Sequence, residues 1–330
     1  MHDDAGLPAA RRAAPGRPDG DALMDRAWGA YLGLAIGDAL GATVEFMTPR
    51  EIALRFAAQG GLHRQIVGGG WLKLPAGQVT DDTTMSLALG DALLRGEQLG
   101  RQFDTELIAD GFVAWWRGHP VDCGNTCRRG ILRYLRGGSM LGPFNEGDAG
   151  NGALMRNLPA VLATLGDDAL FDRVAIAQAH VTHHHPLSDA AVLGVGHLLR
   201  ALLAGASAAA AQALCEDFAA RHDAFRFRPY RGRASAYVVD TVQTVLHHFL
   251  AHDDFEAALV ATVNRGEDAD TTGALVGMLA GARCGARALP RRWLRQLAPA
   301  VVLAVTDQAS ALVALARARE PLSPPPRPIT

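Results

Sequence analysis

Two short acidic clusters, Thr80-Asp81-Asp82-Thr83 and Asp268-Ala269-Asp270-Thr271, stand far apart in the chain, and each runs into a strongly apolar segment. Each supplies two carboxylates with flanking hydroxyls. These are hard oxygen donors, which suit magnesium, manganese or calcium better than zinc or copper. Four aspartates brought together would repel one another unless a cation sat between them. Asp268 and Asp270 would point to nearly opposite sides of a regular helix, so they converge only at a helix entrance, which Asn264-Arg265-Gly266-Glu267 supplies. Thr and Asp are also favoured N-cap residues, so one cluster alone reads equally well as a cap. Two matching clusters favour a metal, because a cap needs one short polar side chain and not two carboxylates. A helix N-terminus repels cations, so a metal there needs several carboxylates. Ions about 3.5–4 Å apart can clamp substrate oxygens and activate water.

Other polar islands could serve the same chemistry. Glu45 sits among Val44, Phe46 and Met47, close after Gly37-Asp38, where it either caps something or has a raised pKa suited to acid–base work. Asp122-Cys123-Gly124-Asn125-Thr126 reads by itself as an Asx-turn before a helix. Gly150-Asn151-Gly152 exposes successive N–H groups before an apolar segment, a cradle for an anion or diphosphate. In Thr182-His183-His184-His185-Pro186 we expect one His inward, against substrate, and the others solvated. No GxSxG, HExxH, Walker or Rossmann fingerprint is present.

The elements that must position these groups read as helices. Apolar residues recur at three- and four-residue steps over 25–42, 83–95, 103–117, 152–165, 168–181, 188–204, 207–221, 235–251, 254–263, 271–285 and 291–316. Strand signals are scarce, and 61–74 reads as loop or at most a short hairpin. The expectation is an all-α single domain over 22–317, between a mobile N-terminal tail (1–21) and a mobile Pro-rich C-terminal tail (318–330). Gly29, Gly33, Gly37 and Gly41 lie at four-residue spacing, as do Gly273, Gly277, Gly281 and Gly285. Each helical glycine costs roughly 0.5–1 kcal/mol against alanine, a cost tolerated where another backbone must approach closely. These two helices are therefore expected to pack tightly near the centre.

Bulk properties narrow the function classes. A formal net charge of −2 argues against nucleic-acid binding, which needs a basic surface. Four cysteines without a CxxC pair suggest a reducing compartment. No secretory signal core is evident, and the apolar stretches read as too short to span a bilayer, so a cytoplasmic protein without a transmembrane segment is expected.

In this order, the islands resemble the ADP-ribosylglycohydrolase family. The matching stretches are Gly33–Gly41, Thr80–Thr83, Gly150–Gly152 with Met155-Arg156, and Asn264–Gly273, within a resemblance covering about residues 24–300. Thr43–Met47, Val67–Trp71, Val121–Cys127 and Thr182–Pro186 are most similar to its dinitrogenase-reductase-activating branch. The resemblance implies an all-α fold with a dinuclear metal cleft, holding two divalent cations, Mn2+ or Mg2+. The metal ligands it implies are Thr80, Asp81, Asp82, Asp268, Asp270 and Thr271. It makes Asp122 the main acid–base candidate and sets Glu45 at the reacting ribose. It assigns ADP-ribose contacts to Asn125, Gly150, Asn151, Gly152, Met155, His183 and Tyr237.

The implied reaction removes ADP-ribose from an arginine of the nitrogenase iron protein, restoring its activity. Direct displacement at the anomeric carbon and ring opening assisted by Asp122 are both compatible with the residue set. The resemblance also suggests regulation through a PII-type signalling protein and the ammonium-transporter complex, with reversible membrane association through that partner. Rival readings are a two-metal hydrolase of a phosphoester or of ADP-ribose O-linked to serine, and a non-catalytic ADP-ribose sensor. The intact aspartate set argues against the sensor.

Overall fold

The computed structural model describes residues 18–319. Its first seven helices are α1 (Pro18–Gly41), α2 (Pro49–Arg55), α3 (Asp81–Gln98), α4 (Thr105–Arg117), α5 (Asn125–Gly137), α6 (Leu158–Ala163) and α7 (Asp168–His180). Seven more follow: α8 (Pro186–Leu203), α9 (Ala208–Arg221), α10 (Val238–Ala251), α11 (Phe255–Val263), α12 (Ala269–Cys284), α13 (Arg291–Gln296) and α14 (Pro299–Arg319). Among the described residues extended pairing is limited to two isolated bridges, Gly69 with Leu74 and Gly150 with Tyr237. The chain is all-α, as expected. The ends expected as tails lie outside the described residues apart from 18–21 and 318–319, which are helical.

Two helices form the axis of the core. Every residue from Gly29 to Glu45 and from Asp268 to Ala282 is buried, the behaviour of helices that are apolar all round. They cross antiparallel along the two glycine stripes: Gly29 meets Gly281, Gly33 meets Gly277, and Gly37 meets Gly273. A Cβ on Gly33 would lie 2.1 Å from the Gly277 carbonyl oxygen, so the register tolerates no side chain there. That register sets the C-terminal end of α1, with Asp38 in its last turn and Glu45 just beyond it, beside the entrance of α12. Helices α3, α8, α10, α11 and α14 pack around this pair.

The sequence pattern misjudged several elements. Helix α2 was not expected. It forms because Thr48 and Glu51 make a reciprocal capping box with Pro49 at the first helical position. Helix α5 carries Arg128, Arg129, Arg133 and Arg136, which left too few apolar steps to mark it. The segment expected as one helix over 291–316 is two, broken where Leu297 and Ala298 precede Pro299. The helix expected over 152–165 is confined to Leu158–Ala163, because residues 151–156 turn to line the cleft. Two helices, Pro186–Leu203 and Pro299–Arg319, reach the length and hydropathy of a bilayer span, contrary to expectation. Half of the first and 44% of the second are buried in the protein, as in core helices of this fold.

Candidate active site

The elements that carry the polar islands converge on one cleft of about 480 Å³. Glu45 and Phe46 enter from the turn after α1, Asp81 from the start of α3, and Asp122 to Cys127 from the α4–α5 connection. Gly150 to Met155, His183 and Ala236 line a further wall, and Asp268, Asp270 and Thr271 come from the entrance of α12. Of the fifteen residues expected at the site, twelve line the cleft. Thr80, Asp82 and Tyr237 stand just behind or beside it.

Neither acidic cluster caps its helix. Thr80 and Asp268 occupy the N-cap positions of α3 and α12, yet neither side chain makes a capping bond. At α3 that work is done by Asp38, fully buried in the last turn of α1. Its carboxylate accepts from the Thr80 N–H (2.9 Å), the Thr83 N–H (3.1 Å) and the Thr83 hydroxyl (2.5 Å). Asp38 thus ties α1 to α3 and frees the cluster carboxylates for another task. It was visible in the sequence only as a carboxylate inside an apolar helix, and no role was assigned to it.

The freed carboxylates crowd together. One oxygen each of Glu45, Asp268 and Asp270 lies within 4.8 Å of the others. Asp82 Oδ2 receives the Thr271 hydroxyl at 3.2 Å, while Asp82 Oδ1 is buried without a hydrogen-bond partner. The Thr80 hydroxyl lies 2.9 Å from Asp38 and 3.3 Å from Asp82, one proton between two carboxylates. No Lys or Arg is among the residues lining the cleft. Burial pushes Glu45 up to about 8, helped by the charges of Asp268, Asp122 and Asp81 and opposed by the Trp71 N–H. Burial and Asp122 raise Asp81 to about 7, and burial with neighbouring carboxylates drives Asp82 and Asp270 well above the usual range. An orphaned buried carboxylate oxygen, a cluster of hard donors and the absence of a lining cation fit bound divalent metal.

Asp122 is half-buried, and burial raises its pKa against the stabilising Cys123 N–H at 2.7 Å. Helix α5 follows as expected, but the Asx-turn does not form, because the Gly124 N–H goes to Asp81 Oδ2 (3.3 Å) and not to Asp122. The Asp122 carboxylate faces the cleft. Asn125 is exposed at the start of α5, where its side-chain oxygen accepts from Arg128 (2.9 Å).

Opposite lies the Gly150–Met155 loop. Asn151 donates its side-chain N–H to Asp268 (2.5 Å) and to the Thr241 hydroxyl (3.0 Å), so the loop is tied to the acidic cluster. A Cβ on Gly152 would come 2.9 Å from both Cys127 Sγ and the His183 ring, which explains the glycine. His183 is buried and held neutral, first by burial and then by Arg156 and Arg129. Arg156, fully buried, braces this wall: it donates to Gln178 and Thr182 at 2.8 Å and lies 4.4 Å over the Phe112 ring. His184 and His185 are only partly exposed, where full solvation was expected, and both are tied down. His184 Nδ1 lies 2.6 Å from the Gly142 carbonyl oxygen, and His185 accepts the Leu187 N–H at the start of α8. Tyr237, 45% exposed, is set beside Gly150 by the bridge between them.

Sequence reasoning assigned no role to Trp71 or Phe46. The Trp71 indole N–H donates to Glu45 Oε2 at 2.5 Å, and its ring lies 5.3 Å from that of Phe46. Only the Gly-Gly-Gly-Trp run hinted that an aromatic ring was being delivered there.

Known proteins are similar to this chain in sequence and fold. The ADP-ribosylglycohydrolase family model matches residues 19–322. The ADP-ribosyl-[dinitrogen reductase] glycohydrolase of Rhodospirillum rubrum is 52% identical over 297 residues, covering 90% of this chain and 98% of that protein. The ADP-ribosylarginine hydrolase Tri1 of Serratia proteamaculans (strain 568) is 32% identical over 85% of this chain and 77% of that protein. A solved structure described as an ADP-ribosylglycohydrolase-related protein complex superposes with a TM-score of 0.77 at 35% identity, covering 90% of this chain and 99% of that one. With its family model matched nearly end to end and its acidic helix entrances gathered in one cleft, this chain belongs to the ADP-ribosylglycohydrolase family.

Proposed function

We propose that residues 22–317 form a hydrolase domain that cleaves the N-glycosidic bond between ADP-ribose and an arginine side chain. Its protein substrate is the one named for its 52%-identical relative, dinitrogen reductase, the nitrogenase iron protein. The observation that carries this reading is the meeting of Glu45 and Asp122 with Asp81, Asp268 and Asp270, from both clusters, in one cleft. Glycosidases use two carboxylates around an oxocarbenium-like transition state.

In this reading Thr80, Asp81, Asp82, Asp268, Asp270 and Thr271 hold two divalent cations, Mn2+ or Mg2+, which would supply Lewis-acid grip on the ribose hydroxyls and acidify a water. Asn125, the Gly150–Gly152 loop, Met155, His183 and Tyr237 bind ADP-ribose. The loop contributes N–H donors, and neutral His183 supports it from behind without adding charge. Glu45 and Asp122 move the protons. One accepts a proton from the attacking water, whose oxygen bonds to the anomeric carbon. The other delivers a proton to the guanidine nitrogen as the carbon–nitrogen bond breaks. Guanidine is strongly basic and a poor leaving group, so protonation of its nitrogen must accompany its departure.

Incubation with arginine-ADP-ribosylated iron protein and manganese tests the reading. We expect release of ADP-ribose, abolished by chelator; no release with manganese overturns it. We also propose a cytoplasmic enzyme that engages a PII-type signalling protein and, through it, the ammonium-transporter complex at the membrane. Co-purification that depends on ammonium status would support that regulation, and its absence in both states would remove it.

A further inference from the structure

Phe46 is an unusual residue for its position. Its φ of 61° lies in the left-handed region, which a bulky side chain rarely adopts. The backbone is pinned there by two bonds to the loop before α12: Phe46 N–H to the Glu267 oxygen (2.7 Å) and Glu267 N–H to the Met47 oxygen (2.9 Å). Glu267 itself has a φ of 51°. This held conformation adds nothing to the buried core, for Phe46 is 66% exposed and Trp71, against which its ring lies, is 50% exposed. Strain kept in place by its surroundings, at the mouth of a cleft, points to a ligand.

The two rings, 5.3 Å apart and tilted by 54°, border the cleft next to Glu45, with which Trp71 is hydrogen-bonded. Glu45 in turn groups with Asp268 and Asp270, whereas Gly152 packs beside His183 and Cys127. An aromatic wall beside buried carboxylates suits a planar cation. A guanidinium stacks on ring faces while its N–H groups meet carboxylate oxygens.

We infer that Phe46 and Trp71 form the subsite for the guanidinium of the substrate arginine, and so set specificity for arginine over neutral acceptors such as serine. The inference rests on the proposed function and assigns its acceptor side. Trp71 also positions Glu45, so Phe46 is the cleaner probe.

The test uses full-length Phe46→Ala and Phe46→Leu; leucine keeps apolar cover but lacks a π face. With ADP-ribosylarginine, KM should rise about tenfold in both, with kcat changed less than about twofold. Inhibition by free ADP-ribose should be unchanged, which also reports an intact fold. Agmatine should inhibit the wild type, its uncharged urea counterpart should not, and both variants should lose the difference. Parallel weakening of ADP-ribose at an unchanged Tm would mean that the rings stack on the nucleotide, and would overturn the inference. An unchanged KM would overturn it as well. Failure of the wild type to cleave ADP-ribosylarginine would sink the functional reading instead. In that case agmatine binding by calorimetry, wild type against Phe46→Ala, still decides the subsite: equal binding, or none to either, removes it.

Discussion

Gly33 and Gly277 lie back to back where α1 crosses α12, and a Cβ built on either would fall 2.0–2.1 Å from the carbonyl oxygen of the other. The neighbour is backbone, which cannot swing aside as a flexible side chain could. Everything chemical about this protein depends on that crossing, because it carries Asp38 and Glu45 to Asp268 and Asp270.

Gly277→Ala should therefore destabilise although alanine is the better helix former. Overpacking of this kind costs about 1–3 kcal/mol and more where backbones must separate, against a propensity gain of at most about 1. Urea denaturation of the variant measures it. A stability equal to or above wild type would refute the close-packing account.

Asp122 faces the cleft without capping a helix, so Asp122→Asn should leave ADP-ribose affinity and metal content near wild type. Turnover should fall about 10²–10⁴-fold, the usual worth of a general acid or base. Single-turnover release of ADP-ribose from a modified arginine protein checks this; near-normal rates would remove Asp122 from the proton chemistry.

Asp270 shares its oxygens' neighbourhood with Glu45 and Asp268. Asp270→Ala should bind less Mn2+, and the thermal stabilisation that Mn2+ gives by mass action should shrink with it. Metal analysis and Tm with and without Mn2+ decide the point. A full metal complement in Asp270→Ala would refute the ligand assignment.

The metal-free protein should lose stability as pH rises. Burial raises Glu45 to about 8, Asp81 to about 7 and Asp38 to about 6. In the unfolded chain these carboxyls titrate near about 4. At these carboxyls the folded state therefore binds more protons than the unfolded state between about pH 4 and 8, and their contribution to stability falls across that window. Buried His63, His183 and His248, all lowered by burial, act in the opposite sense below about pH 6.5. The Tm of chelated protein should therefore drop from about pH 6.5 to 8 and recover with Mn2+. A Tm that rises over the same range would contradict the burial of these groups in the protonated form.

Much of the fold was legible from the chain alone. The long apolar periodicities marked α3, α4, α7 to α11 and the two glycine helices, and short polar runs marked the polar walls of the cleft but not the aromatic border of Phe46 and Trp71. Helices stabilised by local or surface features were harder to see. Helix α2 depends on a capping box, and α5 shows a face of arginines with few apolar positions. The break at Pro299 was also lost inside an apolar run.

Residue types and spacing alone determined that this is an all-helical protein with paired oxygen-rich clusters at helix entrances. They also determined that two glycine stripes needed backbone contact, because a fourfold glycine repeat has little other use in a helix. Only the tertiary structure decided that the stripes meet each other, in a register that sets the end of α1 against the entrance of α12. It alone showed Asp38 taking over the capping of α3, His184 and His185 turned to structural duties, and Phe46 held strained beside Trp71. These outcomes depend on which backbone atoms approach which partners across long separations in the chain, and periodicity reports the face of a helix without naming what packs against it.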